Sequence, residues 1–322
     1  MKLIKFDPIF KSTLWGGKRI ASFKGVEVGE SHIGESWEIS AVEGSVSVVS
    51  DGPDKGMNIN QVIEKYRDAL VGKSVYERYG NGFPLLVKFI DAARDLSIQV
   101  HPDDDLARKR HGQSGKTEMW YIVDSAPGAS LLLGFSDNIT KDEYVSSVAD
   151  HTIADHLCRY DVKKGDCFFI PAGRIHSIGA GTFLAEIQET SDITYRIYDF
   201  NRRDENGKLR QLHTDLAVDA IDYSVRDSYR TEYNPESDRV VKLVNCKHFS
   251  SSVLSLTTGH TFDLTDRDSF TVVMVCDGDV KITADEEERT AHRGETILVA
   301  AAVEKLILTP LSQEAVVLLS HL

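Results

Sequence analysis

Gly165-Asp166-Cys167-Phe168-Phe169-Ile170-Pro171-Ala172-Gly173-Arg174-Ile175-His176 reads as a short strand ending in a tight turn. The glycine opens the strand and Cys167 to Ile170 carry it. Pro171 and Gly173 then turn the chain, so that His176 is swung to the mouth of a barrel. The stretch has an echo. Gly294-Glu295-Thr296-Ile297-Leu298-Val299-Ala300-Ala301-Ala302-Val303-Glu304-Lys305 aligns with it without gaps, and Ala300, Ala302 and Lys305 stand where Pro171, Gly173 and His176 stood. Two copies of one unit imply two barrels, the second of which has lost its histidine. The alternative is two unrelated strands that share a glycine-acid start.

Outward from these units the chain is a series of short β-type runs bounded by turns. They are Phe83 to Ile90, Leu96 to Val100, Met119 to Val123, Ser130 to Gly134, Asp166 to Ile170 and Phe183 to Gln188. From about residue 240 the pattern is almost purely β: Val253 to Leu256, Phe270 to Cys276, Val280 to Thr283, Thr296 to Val299, Leu306 to Leu308 and Ala315 to Leu319. Strands this short and numerous predict a mainly β fold of jelly-roll barrels with a few peripheral helices. Two helices are signalled. Asn58 and Gln61 form a capping pair ahead of Val62, Ile63, Tyr66, Ala69 and Leu70, one helical face that runs to Gly72. Thr140 to Glu143 forms a second capping box ahead of Tyr144, Val145, Val148 and Ala149.

At 322 residues the chain exceeds the size at which one core usually keeps growing, so two units are expected. The turn-rich Tyr233-Asn234-Pro235-Glu236-Ser237 divides a catalytic unit, residues 1–236, from a second, degenerate barrel, residues 237–322. The net charge of −13 argues against a nucleic-acid partner, and a small phosphorylated substrate would require a local cationic pocket. No apolar run approaches the roughly 20 residues that span a bilayer, and Met1 to Phe6 turns polar before a signal-peptide core could form. Cys158, Cys167, Cys246 and Cys276 form no CxxC pair, which fits a reducing cytoplasm rather than a disulfide scaffold or a thiolate zinc site.

Three segments carry metal chemistry. In Leu96-Ser97-Ile98-Gln99-Val100-His101 alternation on a strand puts Ser97, Gln99 and His101 on one face, while Ile98 and Val100 pack the other way. In Gly115-Lys116-Thr117-Glu118-Met119-Trp120, Lys116, Glu118 and Trp120 share a face. His176 completes the set. Each segment alone has an ordinary reading: a satisfied strand histidine, or a solvated Lys/Glu face. Together, two imidazoles and one carboxylate with an open position suit zinc or another divalent first-row metal used as a Lewis acid. In Ser191-Asp192-Ile193-Thr194-Tyr195-Arg196, Asp192 and Arg196 share a face. Either they are an internal ion pair or, beside a metal, Arg196 is the always-charged donor for an anionic intermediate.

The 165–176 spacing matches a signature motif of cupins, except that Ala180 stands where asparagine is usual. More specifically, the chain resembles the type I phosphomannose isomerases in their short form, over most of its first 210 residues. The resemblance rests on Leu14-Trp15-Gly16-Gly17, Gly34-Glu35-Ser36-Trp37-Glu38-Ile39-Ser40, Pro84 to Phe89, Leu96 to Asp103, Gly115 to Trp120, Pro171 to His176 and Ser191 to Arg196. It implies cupin-type barrels and a metal, zinc, held by Gln99, His101, Glu118 and His176. It also implies catalysis by Arg196, Lys116 and Asp192. Trp15, Glu35, Lys88 and Ser97 would bind substrate, the last two being linked to its phosphate, although the short form lacks part of that pocket wall.

The implied reaction interconverts mannose 6-phosphate and fructose 6-phosphate through a cis-enediol or enediolate. Arg196 would stabilise the charge, and Lys116, Asp192 or a metal-bound hydroxide would carry the proton. A non-catalytic sugar-binding cupin with a regulatory role, or a metal-dependent oxygenase, would keep the barrel and the ligands. The first would not need Lys116, Asp192 and Arg196 to converge, and the second would depend on iron and oxygen.

Overall fold

The turn at Gly165 and its echo at Gly294 are built alike. Both glycines take positive φ, 90° and 83°, which costs glycine little. The acid after each folds back on its turn: Asp166 Oδ2 accepts the Lys163 amide at 3.0 Å, and Glu295 Oε2 accepts the His292 amide at 2.9 Å. Each glycine donates its amide to a neighbouring strand, at Ile122 and Val275. The strands that follow, Cys167–Ile170 and Thr296–Val299, pair antiparallel with Glu118–Ser125 and Thr271–Asp277. His176 and Lys305 each open the next strand, His176–Ile178 and Lys305–Pro310. The echo in sequence is a repeated structural unit.

The computed structural model describes residues 2–29, 32–203 and 206–322, and among them the architecture is mainly β. A seven-stranded antiparallel sheet runs in the order Arg230–Thr231, Cys167–Ile170, Glu118–Ser125, Thr182–Glu189, Leu85–Asp91, Ile33–Ile39 and Ile9–Gly17. It faces a five-stranded sheet ordered Leu157–Asp161, Ser130–Phe135, His176–Ile178, Ile98–Val100 and Tyr195–Tyr198. Between them lie Trp15, Ile90, Trp120, Ile122, Leu131, Leu133, Phe168 and Leu184. The second barrel pairs a six-stranded sheet, built around Thr271–Asp277 and Ala315–His321, with a four-stranded one built around Val280–Ala284 and Lys305–Pro310. The chain's first strand, Leu3–Lys5, pairs with Thr296–Val299 of that second barrel rather than with the sheet of Ile9–Gly17.

Period-two alternation sets up the site. Along Glu118–Ser125, Met119, Tyr121 and Val123 pack into the large core that continues into the second barrel, while Trp120 and Ile122 face the first barrel's interior. Across the same sheet Glu186 is paired with both Lys88 and Trp120, and Gln188 with Glu118. A row of polar side chains therefore lines the inner face. Ile98 and Val100 pack outward beneath the helices Lys141–Ala149 and Thr214–Ala220, as alternation predicts.

Both capping boxes form, at Asn58/Gln61 and Thr140/Glu143. The first helix is shorter than its apolar face suggests. It ends at Tyr66, Arg67 takes φ 49°, and the chain restarts as Asp68–Val71 and Lys73–Tyr79. The reason is tertiary. The carbonyls of Ala69, Leu70 and Val71 accept amides of Ala302, Ala301 and Phe270 from the second barrel, so they are not free to continue a helix. Gly72 sits at this contact with φ 93°, where a Cβ would lie 2.4 Å from the Asp268 carbonyl oxygen. No helix among the described residues is long and apolar enough to cross a membrane.

Candidate metal centre and substrate cavity

His101, Glu118 and His176 come from three different segments and meet in the first barrel with their ligand atoms within 4.8 Å of one another. All three are essentially inaccessible to solvent. His101 Nδ1–H donates to the Ile193 carbonyl at 2.8 Å, and His176 Nδ1–H donates to the Arg174 carbonyl at 2.8 Å. These bonds fix the tautomer of each ring and leave both Nε2 lone pairs for the centre. The two Nε2 atoms lie 3.6 and 3.5 Å from opposite oxygens of Glu118. Burial, and then the charge of Lys116, hold the His101 imidazole well below its ordinary pKa. Burial likewise lowers His176 to about 3. Both rings are neutral ligands at physiological pH.

Glu118 Oε1 is buried and has no hydrogen-bond partner. A buried carboxylate oxygen left without a hydrogen bond 3.5 Å from the neutral His176 Nε2 is costly unless a cation completes it, so the donor set fits a divalent metal. Gln99 borders the centre, its amide nitrogen 3.3 Å from His176 Nε2. Turning the amide over would present its oxygen instead. Lys116 precedes the strand that begins at Glu118, yet its ammonium hydrogen-bonds Glu118 Oε2 and lies 3.1 Å from His101 Nε2.

A fourth buried charge, Glu186, was not singled out by the sequence reading. Its oxygens lie 3.0 Å from the Lys88 ammonium and 2.8 Å from the Trp120 indole nitrogen, with Lys116 at 4.0 Å. Burial alone would raise its pKa, but Lys116 and Lys88 outweigh burial and hold it at about 2. Glu118 goes the opposite way, to about 7, through burial and then repulsion by Glu186. The signal for Glu186 was present in Phe183-Leu184-Ala185-Glu186-Ile187-Gln188, where Glu186 and Gln188 alternate with apolar residues as Gln99 and His101 do.

Above this cluster opens a cavity of about 900 Å³, lined by Trp15, Glu35, Lys88, Ser97, Gln99, Lys116, Glu186, Asp192 and Arg196 among others. Every substrate-binding and catalytic residue expected from the sequence is at its wall. Lys88 is buried, 3.0 Å from Glu186 and 3.4 Å from Glu35, with its ammonium over the Trp37 ring. Burial works against its charge, but the two carboxylates hold it protonated well above the ordinary lysine range. Ser97 Oγ donates to Gln99 Oε1 at 3.4 Å.

Asp192 and Arg196 make no ion pair with each other. Asp192 is exposed, and the carboxylate near Arg196 is Asp199, which is bonded by Arg210 and Arg202. The Arg196 guanidinium donates through Nη1 to the Gln211 carbonyl at 2.9 Å, while its Nε is buried without a partner. Its backbone pairs with Gln99.

A second cluster, Asp104, Glu189 and His248, joins the two barrels. Glu189 holds the Thr117 amide at 2.8 Å and lies 2.7 Å from His248 Nδ1, and Asp104 holds the Gly115 amide at 3.1 Å.

Residues 3–122 match the family described as phosphomannose isomerase type I, catalytic domain. The chain is 34% identical to the mannose-6-phosphate isomerase ManA of Bacillus subtilis over 91% of each protein. It is 38% identical to the mannose-6-phosphate isomerase of Streptococcus mutans over 67% of this chain and 68% of that one. The crystal structure of the Bacillus subtilis mannose 6-phosphate isomerase superposes over 100% of both chains with a TM-score of 0.90 at 29% identity.

Proposed function

The chain belongs to the type I phosphomannose isomerases, and from that premise we propose that it interconverts mannose 6-phosphate and fructose 6-phosphate in the cavity above His101, Glu118 and His176. The observation that carries this reading is the partnerless Glu118 Oε1 beside the neutral His176 imidazole, under a cavity lined by Lys116, Asp192 and Arg196. A non-catalytic sugar-binding protein has no use for that convergence of charge.

Zinc is the metal we assign to the three ligands, with Gln99 as a fourth. Two imidazoles, a carboxylate and an amide oxygen suit a borderline-soft divalent ion with an exchangeable position. When bound it supplies Lewis-acid polarisation of the sugar's oxygens. Isomerisation moves a proton between C2 and C1 and gathers negative charge on oxygen in the enediolate. Arg196, whose side chain lines the cavity, donates to that oxygen from its guanidinium. Lys116 and Asp192 carry the protons, Asp192 as an exposed carboxylate at the cavity wall. Trp15 and Glu35 shape the sugar site, with Ser97 and Lys88 beside it. Glu186 keeps Lys88 charged.

We assign catalysis to the unit spanning residues 1–236 and a supporting role to the barrel of residues 237–322, tied together by Leu3–Lys5. A cytoplasmic setting agrees with four free cysteines. A coupled assay with mannose 6-phosphate, run with and without chelator, tests the reading. Turnover abolished by chelator and restored by zinc is expected, and a parent protein inert towards mannose 6-phosphate would overturn it.

A further inference from the structure

Five lysine and arginine side chains line the cavity: Lys88, Arg94, Lys116, Arg196 and Arg210. Three are neutralised within the protein, Lys88 by Glu35 and Glu186, Lys116 by Glu118, and Arg210 by Asp199. Of the remaining two, Arg196 pairs through its backbone with Gln99, at the metal end. Arg94 is the one exposed side chain of the five, and among the described residues its guanidinium has no hydrogen-bonding or ion-pair partner.

The backbone beneath it is pinned nonetheless. The Arg94 amide donates to the Trp15 carbonyl at 3.2 Å, and the flanking amides of Ala92 and Leu96 donate to Thr182 and Ile178 at 3.0 and 2.8 Å. A free fork of donors on a fixed base is suited to a ligand rather than to fold stability. Its position fits one end of a sugar phosphate. Ser97 lies two residues, about 7 Å, from Gln99 along the strand, and Arg94 starts three residues further out.

We propose that Arg94 is the residue that anchors the substrate's phosphate and so selects phosphorylated over free hexose, a deepening that rests on the isomerase reading above. A dianion approaching a chain of net charge −13 needs an uncompensated cation at the entrance. Arg94 meets that need because no carboxylate among the described residues has claimed it. Lys88, held between two carboxylates, contributes its hydrogen bonds but little net charge.

The test uses the full, metal-loaded chain and Arg94→Ala, Arg94→Lys and the parent. We expect Arg94→Ala to raise KM for mannose 6-phosphate about 10- to 100-fold, the loss typical of a hydrogen bond to a charged group, with a change in kcat of less than about 3-fold. Preference for mannose 6-phosphate over free mannose should fall by the same factor, and Arg94→Lys should recover part of it. Inorganic phosphate, titrated calorimetrically, should bind more weakly to Arg94→Ala by a similar factor. An unchanged KM together with unchanged phosphate affinity would overturn the assignment. If the parent does not turn over mannose 6-phosphate, the isomerase reading falls, and the phosphate titration still decides Arg94: weaker binding supports it and equal binding overturns it.

Discussion

The Glu186 carboxylate lies 3.0 Å from the Lys88 ammonium, both fully inside the first barrel. Removing either one leaves the other with only its more distant partner, Glu35 for Lys88 and Lys116 for Glu186, and so with a poorly compensated buried charge. Pairing across adjacent strands places them together, and the Trp120 indole completes the second oxygen of Glu186.

Glu186→Gln tests this pair by pH. The Glu186 carboxyl titrates near 2 in the folded chain and near 4.3 when unfolded. Between these values the unfolded chain takes up a proton that the folded chain refuses. The stabilisation is therefore complete above the unfolded value and is lost as pH falls towards 2. At neutral pH the variant should be less stable than the parent by on the order of 3 kcal/mol, and the gap should narrow steadily below about pH 4.5. Denaturant unfolding of both proteins at several pH values measures it. A gap independent of pH would mean that Glu186 is not the titrating group.

Most of the fold was legible because its signals are local. Each predicted β-run corresponds to a strand, and both capping boxes formed. The early break of the first helix was not legible, because it depends on carbonyls of Ala69 to Val71 being captured by loop and turn residues some 200 positions later. The meeting of His101, Glu118 and His176 was legible from alternation and turn spacing. That Asp192 would stay clear of Arg196 was not, since Asp199, Arg202 and Arg210 reach the site through loops with no period to read. Glu186 was missed although its strand alternates, because one acid in an apolar run has no partner until the neighbouring strands are known.

About one divalent ion per chain is expected by elemental analysis, and His176→Ala should lose it. The Asp104, Glu189 and His248 cluster should remain without one. Its carboxylates are engaged by the Thr117 and Gly115 amides and by Lys247, and the 2.7 Å between Glu189 Oε1 and His248 Nδ1 is shorter than the spacing of two ligands around an ion. A stoichiometry near two, falling to one in Glu189→Gln, would contradict this.

Lys305→Ala probes the echo. Lys305 is exposed in the second barrel, on a strand remote from the cavity wall. Although it occupies the position equivalent to His176, kcat should stay within about 3-fold of the parent. A large fall with folding intact would bring the second barrel into catalysis.

Arg196→Lys separates structure from chemistry most directly. Had Arg196 been a structural partner of Asp192, lysine would preserve the charge and arginine's loss would strand a carboxylate. Asp192 is exposed and makes no ion pair among the described residues, however, so neither Arg196→Lys nor Arg196→Ala should destabilise the chain through that route. What lysine cannot supply is the planar fork. Arg196 uses Nη1 on the Gln211 carbonyl and keeps its buried Nε without a partner, an arrangement a single ammonium on a flexible stem does not reproduce. If those remaining donors meet the enediolate oxygen, their loss is felt where charge develops and hardly at all in the ground state. Arg196→Lys should then fold, bind metal and show a KM close to the parent's, while kcat falls on the order of 10²-fold. A variant with near-parental kcat would remove Arg196 from the chemistry and leave oxyanion stabilisation to the metal centre.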